Sequence, residues 1–201
     1  PRKIYKIYLT EFNKHIMTKI SGRWKGRYLI APKNLPVRPT TDMAKEALFN
    51  ILSNRFDMDS LSVTDLFAGT GNISYEFASR GARSVRSVDM DRGCARYISE
   101  TARTLGLDAI IVSNADVFRY LSRPQEMSDV IFADPPYDLP EEKYRVIVSS
   151  VFENGLLGED GVLVIEHPKS IDLSDMDGYE DTRRYGTVHF SFFSASAPDE
   201  D

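Results

Sequence analysis

The sequence predicts a three-layer α/β/α domain built on a seven-stranded, mostly parallel sheet that ends in an antiparallel hairpin. Three observations carry this expectation. From residue 62 onward, short apolar runs alternate with helical stretches, the rhythm of βαβ units whose sheet is covered on both faces. Glycines stand where two of those helices should stop, at Gly81 and Gly106. Near the end, two β-rich runs flank Gly186 with no helix between them, which marks a hairpin and not a crossover.

Residues 1–16 read as an arm with no assigned role. Met17 stands immediately before the first strong local signals, so the functional core is expected to start there. Ile20 to Ala31 mixes glycines with alternating basic and aromatic residues, the pattern of a short hairpin or strand pair. Pro32, Pro36 and Pro39 hold the next segment extended. Thr40, Thr41 and Asp42 are N-cap candidates for a helix whose apolar face is Ala44, Leu48, Ile51 and Leu52. Residues 17–60 thus form a basic extension ahead of a main domain over 61–201.

In that domain Val63–Phe67 reads as the first strand, followed by a helix over Asn72–Arg80. Ser84–Val88 and a helix over Arg92–Leu105 come next, then Ala109–Val112 and a short helix over Val117–Leu121. Val130–Ala133, a helix over Glu141–Asn154 and the strand Val162–Glu166 complete the parallel part. Arg183–Phe193 supplies the hairpin at the sheet edge.

Composition narrows the function classes. The 201 residues are 42% hydrophobic and 27% charged, ordinary for a globular domain with a sizeable core. No apolar run approaches the roughly 18 residues of a membrane span. Arg2, Lys3 and Lys6 interrupt the start, which lacks the apolar core of a secretory signal, so a cytoplasmic location is expected. A single cysteine, Cys94, excludes an internal disulfide framework, and with only His15, His167 and His189 beside it no metal site is expected. The net charge of −5 hides an asymmetry. Residues 1–45 hold eleven Lys/Arg against two acids, +9, and the remainder holds fourteen against twenty-eight, −14. A basic arm on an acidic body suits a protein that grips phosphates at one end, although a solvated face reads equally well from charge alone.

Four short segments carry the candidate chemistry. Asp65-Leu66-Phe67-Ala68-Gly69-Thr70-Gly71 runs from the first strand into a helix, where glycines admit close backbone approach by a ligand. Ser74 occupies the place of a third glycine, which disfavours a dinucleotide pyrophosphate. Asp89, followed by Met90, ends the second strand, and a carboxylate there can accept both hydroxyls of a ribose. Asp116, followed by Val117 and preceded by Asn114, is placed to face an adenine amino group or to cap the helix it precedes. Asp134-Pro135-Pro136-Tyr137 ends the fourth strand. Its prolines remove N–H donors, so a carboxylate and a carbonyl can together accept from one NH₂ group, with Tyr137 as a stacking face.

The tetrad resembles the [DNS]-P-P-[YFW] motif of amino-group methyltransferases. Together with Phe67–Gly71 and Asp89 it is similar to the Rossmann-like class I fold that binds S-adenosylmethionine. Ile20–Arg27, Arg38–Asp42, Glu46–Leu52, Ser79–Ala82, Val164–Glu166 and Arg184–Gly186 further resemble the RsmD family, bacterial guanine-N2 methyltransferases of 16S ribosomal RNA. The resemblance runs from Thr18 to Phe193. It implies that Gly69 and Gly71 pass against the methionine part of S-adenosylmethionine, with S-adenosylhomocysteine as product. It further implies that Asp89 holds the ribose and Asp116 the adenine. Asp134 and the Pro135 carbonyl hold the guanine N2, and Arg38 and Thr40 border the RNA side. The family usually carries glycine at Ser74 and often glutamate at Asp89, which bears on cofactor affinity.

Arg23, Trp24, Lys25, Arg27, Arg38 and Thr40 are the RNA-contact candidates, mixing phosphate charge with an aromatic surface. The expected partner is 16S ribosomal RNA within the small subunit or its assembly intermediate, and the expected protein is a monomer. A DNA adenine-N6 methyltransferase uses a similar tetrad but an added target-recognition region, for which this chain is short. A protein-glutamine methyltransferase and a non-catalytic RNA-binding or assembly factor on the same fold are the other readings. Glu166, at the end of the fifth strand, is either structural or part of the base pocket.

Overall fold

The computed structural model describes residues 16–20, 22, 28–31 and 42–194. The RNA-contact candidates Arg23, Trp24, Lys25, Arg27, Arg38 and Thr40 lie outside the described residues. The main sheet has seven strands: β3 (Ser62–Leu66), β4 (Ser84–Asp89), β5 (Ile110–Asn114), β6 (Ser128–Ala133), β7 (Leu157–His167), β8 (Tyr179–Tyr185) and β9 (Val188–Ser194). Their spatial order is β5-β4-β3-β6-β7-β9-β8. The first five are parallel, and β9 runs antiparallel between β7 and β8. The order reverses between β3 and β6, which opens a crevice at their carboxyl ends.

Helices α1 (Asp42–Arg55), α2 (Asn72–Ser79) and α3 (Arg92–Leu105) cover one face, and α4 (Val117–Leu121) and α5 (Glu141–Glu153) the other. Alternation along the strands explains the split. Val130, Phe132, Val162 and Val164 point to α1 and α2 and pack with Leu48, Phe49 and Phe77. Ile131, Ala133, Leu163 and Ile165 point to α5 and pack with Tyr144, Ile147 and Val151. The parallel strands are therefore apolar on both faces, as two helical layers require. Cap chemistry sets the helix ends. Asp91 accepts from the Cys94 N–H at 2.8 Å to open α3, and Gly106 at φ 66° closes it.

Three elements differ from expectation. The hairpin pairs β1 (Ile16–Lys19) with β2 (Tyr28–Ala31), Ile16 facing Ala31, so its first strand lies upstream of the expected window and crosses the 16/17 boundary. Strand propensity in Ile16-Met17-Thr18-Lys19 places the first strand ahead of the glycine-rich stretch. Ile20 is fully buried with Tyr75 and Ile98, and a Cβ on Gly22 (φ +69°) would sit 2.4 Å from the Ser79 carbonyl oxygen. The hairpin is thereby fastened to the end of α2.

Strand β7 begins five residues early. Leu157 pairs with Ser128 and Val162 with Val130, so Gly158–Gly161 forms a bulge that reads in sequence as a turn. Strand β8 begins at Tyr179, not Arg183, because its polar run Glu180-Asp181-Thr182 suits an exposed edge. Glu180 there accepts from Arg55 at 2.8 Å and ties the edge to α1.

Candidate active site

The site lies where β3, β4, β6 and β7 end. After β3 the chain turns sharply: Phe67 takes φ 59°, Gly69 55° and Gly71 81°. A left-handed phenylalanine is strained backbone of the kind that gathers at functional sites. Its ring meets Phe118 edge-on at 6.2 Å, which holds it in place. The turn is locked by backbone bonds, the Ala68 N–H to the Val88 carbonyl at 3.0 Å and the Gly71 N–H to the Ala68 carbonyl at 2.7 Å.

Gly71 owes its identity to packing as well as to φ. A Cβ there would lie 2.9 Å from Ile98 Cγ1 and from the Tyr75 ring, so the crowding that excludes a side chain comes from α2 and α3. Asp65, expected to bind cofactor, is only 1% exposed and lies beneath the loop. Its Oδ2 accepts from the Ser74 hydroxyl at 2.5 Å, and Ser74 meets Ser87 at 2.7 Å. Desolvation by burial pushes the Asp65 carboxyl up to about 7, against the Ser74 hydrogen bonds that lower it. Ser74, at the family's usual glycine, thus completes a buried polar brace.

Asp89 is fixed by two backbone donors. Its Oδ2 accepts from the Gly69 N–H at 2.7 Å and its Oδ1 from the Asp91 N–H at 2.8 Å. Each oxygen keeps lone-pair capacity for another donor, which fits the paired hydroxyls of a ribose. Burial raises its pKa, and the two N–H donors oppose that rise. The Asn114 amide donates to the Asp89 and Met90 carbonyls, both at 2.9 Å, and so braces the end of β4. Met90 itself is 71% exposed, an apolar surface open to a planar ring. Asp116 accepts from the Arg119 N–H at 2.9 Å and caps α4, while Val117 behind it is buried. Capping uses one oxygen of Asp116 and leaves the other able to accept a further donor.

The tetrad follows β6 across the crevice. The Asp134 N–H points to the Leu66 carbonyl at 3.4 Å, which sets the start of the tetrad beside the end of β3. Pro135 is buried, Pro136 accepts from the Leu139 N–H at 2.9 Å, and Tyr137 is 41% exposed. Ala133 pairs with Ile165, so Asp134 and Glu166 are the next residues on adjacent strands and share a face by alternation. Glu166 is 3% exposed.

Two groups escaped sequence reasoning. Tyr144 is fully buried among Leu66, Ala133 and Ile165, with its hydroxyl lacking a partner. The helical spacing Tyr144, Ile147, Val148, Val151 was the available signal for its inward face. Lys45 donates to Asn72 Oδ1 at 2.9 Å and approaches Glu76 at 3.6 Å, while Arg80 reaches Glu76 at 2.8 Å. Only the Asn72/Glu76/Arg80 spacing of four hinted at this buried network. A separate cavity of about 500 Å³, lined by Phe56, Arg83 and Asp129 among others, opens at the amino ends of β3 and β6. Ligands of open α/β sheets bind at the carboxyl ends, so it is not the site. Among the described residues no three His, Cys, Asp or Glu groups could share a metal ion, and no helix is long and apolar enough to cross a membrane.

Comparison with known proteins decides the family. The family model described as Conserved hypothetical protein 95 matches residues 17–194. Ribosomal RNA small subunit methyltransferase D of Escherichia coli (strain K12) is 31% identical over 149 residues, 73% of this chain and 72% of that one. The chain belongs to this methyltransferase family. YlbH of Bacillus subtilis (strain 168) is 34% identical over 170 residues, 81% of this chain and 88% of that one. The solved structure of yhhF from Escherichia coli superposes with a TM-score of 0.76 at 25% identity, covering 90% of this chain and 98% of that one. Family membership and the class I architecture agree with the position of the tetrad at the β3/β6 crevice.

Proposed function

We propose that the chain transfers a methyl group from S-adenosylmethionine to the exocyclic N2 of a guanine in 16S ribosomal RNA. The observation that carries the reading is the Asp134–Tyr137 tetrad beside the left-handed Phe67–Gly71 turn, with Asp89 held by the Gly69 and Asp91 amides. Family membership supports the RNA class, since the curated relative acts on small-subunit ribosomal RNA by name.

Asp89 holds the ribose hydroxyls, Asp116 and Asn114 border the adenine, and Met90 and Val117 flank it. The turn from Phe67 to Gly71 carries the amino-acid part. Bound there, the cofactor supplies an electrophilic methyl group on a sulfonium. The Asp134 carboxylate and the Pro135 carbonyl accept the two N–H bonds of the target amine and so direct its lone pair at that methyl. Tyr137, open to solvent, stacks on the base. As the nitrogen gains positive charge, the Asp134 carboxylate offsets it in a partly buried setting. The base leaves its stack to reach this pocket, which costs least for an unpaired nucleotide. Arg23, Trp24, Lys25, Arg27, Arg38 and Thr40 supply the RNA contacts in this reading.

The experiment is transfer of labelled methyl to unmodified bacterial small ribosomal subunits, followed by nucleoside analysis. N2-methylguanosine is the expected product. Label recovered only in DNA or protein under matched conditions overturns the substrate while keeping the cofactor.

A further inference from the structure

We propose that the Tyr144 hydroxyl is a positioning donor for the Asp134 carboxylate, engaged when the target amine docks. The inference rests on the methyl-transfer reading above. Tyr144 lies in the opening turn of α5, and its ring packs in the cluster that contains Leu66, Ala133 and Ile165. Those are residues at the ends of β3, β6 and β7, and the last two immediately precede Asp134 and Glu166. Leu139, where the turn after the tetrad closes onto Pro136, packs against the same cluster. The phenol therefore stands under the segment that presents Asp134.

Its hydroxyl is shielded from water and has no hydrogen-bond partner. An unmet buried polar group costs stability, and native folds leave few of them without a reason. The acidic groups that act on this hydroxyl are Asp134 first, then Tyr137, Glu166 and Asp138. Burial above all, with those neighbours, pushes the phenol up to about 12. It stays protonated at neutral pH and can serve only as a donor to a carboxylate.

Among those neighbours, Asp134 is the one whose orientation the reaction depends on. When one of its oxygens accepts from the docked amine, the other can turn inward to the Tyr144 hydroxyl. A charge-assisted O–H···O⁻ bond there fixes the plane of the carboxylate, and with it the direction of the amine lone pair. An anchor on the second oxygen narrows the orientations open to the carboxylate. The donor costs stability in the resting protein and returns it in the loaded state.

The test is Tyr144→Phe, which removes one oxygen and keeps the ring. Methyl transfer to unmodified small subunits is measured together with melting temperature and calorimetric affinity for S-adenosylhomocysteine. The expected result is a kcat at least tenfold lower, with both KM values and the S-adenosylhomocysteine affinity within twofold. The melting temperature should be unchanged or higher, since the variant has no unmet hydroxyl. A kcat within twofold of wild type overturns the proposal. A fall in melting temperature together with cofactor affinity also overturns it, because the hydroxyl would then serve the resting fold. Wild-type protein that transfers no methyl to RNA defeats the substrate reading and this inference together, whereas an active wild type with an equally active variant defeats the inference alone.

Discussion

Replacing Asp65 by asparagine should flatten the dependence of stability on pH between 5 and 8. Asp65 is buried under the glycine turn, accepts from Ser74 at 2.5 Å, and titrates near 7 in the folded protein instead of near 3.8. A raised carboxyl binds its proton more tightly when folded, so it favours the fold below the unfolded value and loses that contribution as pH rises through the folded one. The loss accrues at about 1.4 kcal/mol per pH unit between the two values. Unfolded Asp65 is already ionised at pH 5, and folded Asp65 is ionised by pH 8, so about 3 kcal/mol is lost between those points. Asparagine keeps an acceptor for Ser74 and does not titrate. Other groups complicate the raw profile. Asp89 is raised as well and shifts stability in the same direction, while burial lowers His167, which destabilises the fold as pH falls through the ordinary histidine range. The quantity to measure is therefore the difference in urea-unfolding free energy between Asp65→Asn and wild type at pH 5, 6, 7 and 8. It should move in favour of the variant by about 3 kcal/mol across the series. A difference that stays constant within about 1 kcal/mol would refute the argument that desolvation governs this carboxyl.

Asp134→Ala should lower methyl transfer by about a thousandfold or more while S-adenosylhomocysteine affinity changes only a few-fold, because the lost carboxylate orients the amine; near-normal turnover would place the chemistry elsewhere. Asp89→Ala removes the acceptor of the Gly69 and Asp91 N–H groups along with the ribose contact. Titration calorimetry with S-adenosylhomocysteine should show affinity reduced by about 10- to 100-fold, at about 1.5–3 kcal/mol for a charged hydrogen bond; an unchanged Kd would contradict the ribose assignment. Gly71→Ala forces a side chain into φ +81° and within 2.9 Å of Ile98 and Tyr75. It should cost about 2 kcal/mol or more by denaturant titration, and a neutral effect would mean that α2 and α3 yield easily at this contact.

The order of strands and helices was legible because periodicity is local. Apolar runs such as Val130–Ala133 and stops such as Gly106 report on neighbours a few residues away, and hairpin chemistry around Gly186 does the same. The tetrad and the glycine turn were legible for a related reason, since each is one contiguous segment whose residue types limit the backbone. What depended on register or on distant partners was not. Tyr179 and Asp181 look like loop residues until β9 pairs with them and leaves their far side at an open edge. Gly158–Gly161 looks like a turn until Leu157 is seen opposite Ser128.

By itself, then, the sequence determined the doubly wound class, the carboxylates at strand ends and the family, all properties of short segments and their spacing. Only the tertiary structure decided which groups face the cleft and which lie under it. Asp65 and Asp89 both flank the glycine turn in sequence terms, yet one is turned inward onto Ser74 and the other is held at the rim by the Gly69 and Asp91 amides. Tyr144, on a helix that looks merely amphipathic, was brought against Ala133 and Ile165 by the packing of α5 on β6 and β7. The physical reason is that solvation and hydrogen-bond partnership depend on contacts between segments far apart in the chain, and no local pattern encodes which of two carboxylates will meet water.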